Sequence, residues 1–127
     1  MTHTVFHLTD WGAHPHGLPD HIQDYLQSWL PAWLEVYLEA GQWDLVAELL
    51  IVDLCLTDPE FYPHAWDRVA GAQHADGLLP YGPMRVPHKL AKAFRNHYHL
   101  TLAATIAGTL AVSRRITQAA PTPSTTP

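Results

Sequence analysis

His3 and His7 stand four apart, with Asp10 three further on, and this His-x3-His-x2-Asp spacing on one side of a helix could hold a divalent metal. The plainer alternative is a helix end whose histidines cap carbonyls or face water. Asp44 and Glu48 are four apart in a mostly apolar stretch, and two such carboxylates could share acid/base work if burial separates their pKa values. Alternatively, Asp44 sits in a first helical turn favoured by the dipole, and Glu48 pairs with an Arg or His. Val46-Ala47 and Leu49-Leu50 flank Glu48, so it is expected to be partly buried and to need a partner. Gln73-x-x-Asp76-Gly77 and, further on, Tyr98-His99 place polar groups where a loop meets an apolar helix. Free N–H groups at such a helix start would suit an anionic or polar ligand, with His99 titrating near neutrality beside them. In the alternative, His99 only hydrogen-bonds a neighbouring loop. Trp11, Trp29, Trp33, Trp43 and Trp66 could line a cavity, although the helical spacing of Trp29 and Trp33 suits core or interface.

The elements that would carry these groups are all helical. Residues 1–10 read as the second half of a helix, stopped at Trp11-Gly12 and followed by a His/Pro/Gly loop over 12–18. Pro19-Asp20 opens a helix whose apolar positions, Ile22 to Leu38, recur at helical spacing. Pro31 should kink or divide it, and Gly41 should end it. Trp43 to Leu56 is apolar nearly all round, which marks a central helix. Asp58-Pro59 has the form of a cap and first turn, predicting a helix from there to about Gln73. A loop over 76–87 and a turn over 88–95 would precede a last helix over 97–114. The small residues Ala103, Ala104, Ala107, Gly108 and Ala111 should place one face of that helix against another. No strand-type alternation occurs, so the fold class is all-α, built of antiparallel helix hairpins with four to six helices over 1–116. A Pro/Thr-rich tail, 117–127, is expected to be disordered.

Composition narrows the function. Charged residues make up only 15% of the chain, low for a fully solvated surface, which points to a face covered by a partner. The net charge is −5, and the seven Lys and Arg form no stripe, which argues against a nucleic-acid partner. Ten histidines will swing the charge strongly between about pH 5 and 7. A single cysteine, Cys55, excludes an intramolecular disulfide. The absence of a basic-then-apolar leader gives a cytoplasmic expectation, and the apolar run 100–112 is too short to span a bilayer.

Gln73-x-x-Asp76-Gly77 followed by Tyr98-His99-x-Thr101-Leu102 resembles the α/α-toroid superfamily, which includes terpene cyclases and protein prenyltransferases. With Thr2-His3-Thr4-Val5-Phe6, Thr9-Asp10-Trp11-Gly12 and Trp43-Asp44 through Leu50, the chain more closely resembles an uncharacterised actinobacterial helical domain family. These phrases span 2–112 and include His3 and Asp10 but not His7, so a shared site would rest on the former pair. The resemblance implies half of a ring, with an open apolar surface that favours a homodimer or a longer helical partner chain. Asp53-x-Cys55 with His99 is similar to the prenyltransferase zinc set, and zinc would suit these ligands, but here the pair ends an apolar helix where Cys55 serves as a small core residue. The Asp-rich motifs of terpene cyclases are absent.

The sequence therefore leads to a binding or scaffold domain that pairs with itself or a longer chain, without a resident cofactor. The alternatives are an enzyme subunit of specialised metabolism and a metal-binding module. The enzyme would act on a polar small molecule or peptide with His3, Asp10, Glu48 and His99 as catalytic candidates and Trp11, Asp44, Asp76 and Tyr98 as binding candidates.

Overall fold

The structure, a computed structural model, describes residues 1–80 and 90–120, with side chains for 1–80 and 97–120. Five α-helices and no strand occur among the described residues: α1 (Thr2–Leu8), α2 (Asp20–Ala40), α3 (Trp43–Cys55), α4 (Pro63–Ala72) and α5 (Leu90–Ala119). The fold is all-α. A short 3-10 turn, Pro15–Gly17, joins α1 to α2.

The near-continuous apolar run of α3 makes it the axis of the molecule. Residues 49–56 are all buried, and α5, α2 and α1 pack around this helix. Leu26, Leu30, Leu34 and Leu38 form the inner face of α2 at a spacing of four. The small residues of α5 act as expected: Ala103 and Ala107 are buried, letting α5 approach α3 closely. Pro31 neither divides nor ends α2, which runs through it unbroken with the ring on the exposed side. Gly41 ends the helix at φ 64, the left-handed stop.

Two boundaries differ from the sequence reading. The Asp58-Pro59 start is overridden, and α4 begins at Pro63. The cause is Asp53, at the end of α3. Its carboxylate accepts the backbone N–H of Glu60 at 3.0 Å and of Phe61 at 2.9 Å. That clamp holds residues 60–62 out of a helix, and Phe61 and Tyr62 take positive φ values of 62 and 38, which costs on the order of 1–2 kcal/mol per bulky residue. The second difference is α5, which begins at Leu90, so the turn over 88–95 is replaced from that point by helix and residues 97–99 lie well inside it. At its other end α5 includes 117–119 of the assigned tail, while 81–87 of the loop and 121–127 of the tail lie outside the described residues.

The segment after α3 is held from three sides. Gln23 on α2 accepts from the Thr57 N–H and hydroxyl through Oε1, and Asp53 acts from α3. Arg114 on α5 donates to the carbonyls of Leu56 and Thr57 at 2.8 and 3.2 Å, a cation on the carbonyl end of α3. Burial outweighs the two N–H donors and pushes Asp53 up to about 6. The unfolded chain would hold that proton with a pKa of about 3.9, so the folded state binds it more tightly. Asp53 therefore contributes its full stability below about pH 4 and loses it, on the order of 3 kcal/mol, as pH rises through 6. Comparing wild type with Asp53→Asn by urea unfolding at pH 4 and pH 7 should reveal this difference. A difference independent of pH would mean that the carboxylate is well solvated.

Glycines supply a second test. A Cβ on Gly17 would run into the carbonyl oxygen of Leu8, a backbone atom with nowhere to go. Gly17→Ala should cost about 2–3 kcal/mol. Gly71 is helical with open space around it, and Gly71→Ala should add about 0.5–1 kcal/mol. Opposite shifts of the urea midpoint are the expected readout.

Candidate functional site

Helices α1, α3 and α5 meet around a small cleft that collects four of the residues marked in the sequence: His3, Trp11, Glu48 and His99. Phe6, Ile51 and Leu102 complete its apolar walls. Each arrives for a local reason. Glu48 lies between Asp44 and Asp53 on the otherwise apolar α3, with its side chain 15% exposed. It accepts a 2.7 Å hydrogen bond from the Thr2 hydroxyl, and His3 Nε2 lies 4.0 Å from its other oxygen. Asp10, Trp11 and Gly12 turn the chain with successive positive φ values, laying the Trp11 ring on Phe6 at 4.8 Å. Gly12 is needed there: a Cβ would lie 2.9 Å from the Leu54 carbonyl oxygen. The assembly is a carboxylate with two imidazoles and aromatic faces, suited to a cationic or hydrogen-bonding group. Its volume is about 90 Å³, well below the roughly 300–1,000 Å³ of sites that enclose a small molecule.

The other marked residues lie elsewhere. Asp10 does not line the cleft, and its carboxylate is 3.9 Å from His14. The His3-His7-Asp10 register is lost because α1 ends at Leu8, before Asp10. Asp44 sits in the first turn of α3, half-buried, and does not join Glu48 in the cleft. Asp53 spends both oxygens on backbone N–H groups. Cys55 is fully buried, and burial pushes its thiol up from the usual range. Neither lines the cleft that His99 lines. Among the described residues no group of three or more His, Cys, Asp or Glu is placed to hold a metal ion.

Asp76 closes its own turn, accepting from Leu78 N–H at 3.1 Å with His74 Nδ1 at 2.9 Å, and the His74 bond holds its carboxyl below the usual range. The helix start expected beside His99 is absent because α5 is already under way. Tyr98 is half-exposed and meets His99 edge-on. The loop is fastened instead by His97 and Thr101. Buried His97 donates through Nδ1 to the Leu79 carbonyl at 2.7 Å, and Thr101 Oγ1 accepts from the Leu79 N–H at 3.2 Å. His97 lies on the helical face of Leu100, Ala104 and Ala107, a signal present in the sequence, whereas nothing local in the sequence pairs Thr2 with Glu48.

Two further surfaces stand out. On α2, Tyr25, Trp29 and Trp33 form a ladder of rings about one helical turn apart, with Trp29 and Trp33 stacked at 6.3 Å. Tyr25 and Trp29 are 50% and 49% exposed, and Val36, 60% exposed, extends the stripe. On the α4–α5 side an open apolar groove of about 460 Å³ is lined by Phe61, Pro63, Trp66, Val112, Arg115 and Ile116. The Arg115 guanidinium lies 4.5 Å over the Phe61 ring. Charge is also segregated along the chain: every Lys and Arg lies at or after Arg68, and every acid except Asp76 at or before Asp67. Among the described residues no helix is long and apolar enough to cross a membrane.

The cleft makes a measurable claim through Thr2 and Glu48. Thr2→Val and Glu48→Gln should each cost about 1 kcal/mol, and the double variant less than their sum. Strict additivity in thermal unfolding would show that the 2.7 Å bond contributes nothing.

No curated protein and no solved structure matches the chain. A family model does match, over residues 1–109, and it describes a domain of unknown function, DUF6895. Neither finding carries the toroid superfamily with it. With most of its length covered by that model, the chain belongs to the DUF6895 family.

Proposed function

We propose that the chain is a helical interaction domain that assembles through the aromatic face of α2, with a second copy of itself as the partner. The observation that carries this reading is the Tyr25–Trp29–Trp33 ladder, whose Trp33 packs partly on the core while Tyr25 and Trp29 stand half-exposed on the outer side of α2. Single exposed apolar residues are ordinary, but a contiguous aromatic stripe on one helix marks a contact surface. Aromatic side chains are also the commonest anchors of interfaces. The reading needs no half-ring, because α3 is sheathed by its own neighbours, and among the described residues the outer side of α2 and the α4–α5 groove stay open. A longer helical chain presenting a matching face is the alternative partner. The one thiol, Cys55, is buried and free, which suits a reducing compartment such as the cytoplasm.

A second reading, an enzyme subunit, is favoured by one observation, the convergence of His3, Glu48 and His99. The cleft is too small to enclose a substrate, so it would act on a group presented by a peptide or a partner rather than on a sequestered molecule.

Light scattering across a concentration series tests the first reading. Wild type should exceed the monomer mass, and Trp29→Glu, at a half-exposed helical position, should weaken association at least tenfold. A wild type that stays monomeric throughout would overturn it.

A further inference from the structure

The segregation of charge says which faces meet, given the self-association proposed above. Helix α2 carries Asp20, Asp24, Glu35 and Glu39 and no Lys or Arg. Helix α5 carries Lys92, Arg95, Arg114 and Arg115 and no acid. Each also presents an apolar stripe. That of α2 is Tyr25–Trp29–Val36. On α5, exposed Leu102, Thr105, Thr109, Val112 and Ile116 recur at alternating spacings of three and four, the pattern of a helix-docking seam. The lower end of that seam forms one wall of the α4–α5 groove, where Arg115 supplies a cation and Asp67, from α4, the one acid.

We propose that α2 of one copy lies along the α4–α5 groove of a second copy, its aromatic stripe on Val112, Ile116 and Phe61. Contact between two α2 stripes would set acids against acids and is penalised by repulsion. Contact between two α5 seams would do the same with basic residues. Stripe against groove brings aromatic rings to an apolar trough lined by Phe61 and Trp66, with the acids of α2 near Arg115. At about 1.5 Å per residue Tyr25 to Val36 spans about 16 Å, which fits within the roughly 21 Å of Leu102 to Ile116, whose Val112–Ile116 end walls the groove. Because the two patches differ, the assembly either closes reciprocally about a two-fold axis or propagates.

Complementation tests this pairing. Trp29→Glu removes the stripe and keeps the groove, while Val112→Glu does the reverse. Both sites are exposed on helices, and Tyr25→Glu and Ile116→Glu serve as second versions, with circular dichroism confirming the fold. Each variant alone should associate at least tenfold more weakly than wild type by light scattering. An equimolar mixture should associate again, since one member retains the stripe and the other the groove. Wild-type assembly should weaken as salt is raised. If wild type assembles but Val112→Glu assembles equally well, or mixing restores nothing, the pairing is overturned while self-association stands. Assembly that strengthens with salt also overturns it. A monomeric wild type overturns both.

Discussion

Asp53 receives two backbone N–H groups at the end of the most deeply buried helix, and much of the outer structure follows from that clamp. It stops residues 60–62 from joining a helix, forces Phe61 and Tyr62 into left-handed backbone, and so delays α4 to Pro63. Phe61 is thereby aimed at α5, where Arg115 covers its ring and the groove opens. Arg114, one residue earlier, ties the same segment to α5 through two carbonyls. Its Nε is buried without a hydrogen-bond partner among the described residues. A carboxylate with about 1% exposure thus determines the shape of a surface it does not reach.

The three surfaces divide the work by size and chemistry. The cleft at α1, α3 and α5 is small, with His3, Glu48 and His99 set among apolar walls beside the Thr2–Glu48 bond. The groove is several times larger and mostly apolar, with Arg115 and Asp67 in its lining. The stripe on α2 is convex and aromatic. The proposed contact sets that convex surface against the apolar trough.

Much of the fold is legible in the sequence because it rests on local pattern. Periodic leucines give α2, Gly41 its stop, and the near-continuous apolar run of 45–56 the central helix. The misplaced starts of α4 and α5 have tertiary causes or lie where local signals are equivocal. Asp58-Pro59 is a sound cap motif, but Asp53 has already taken the N–H groups that a helix there would use. Of the candidate site, His3, Glu48 and His99 carry the right residue types, yet no periodicity could bring together residues so distant in sequence. The helical register that relates His7 to Asp10 ends at Leu8. The helix start that would join Asp76 to His99 lies at Leu90.

The acids of α2 and the basic residues of α5 lie on different helices. Two copies in the proposed pairing would therefore attract one another when α2 of one faces α5 of the other, before any side chains touch. Orientation would then be selected at long range and surface fit only afterwards.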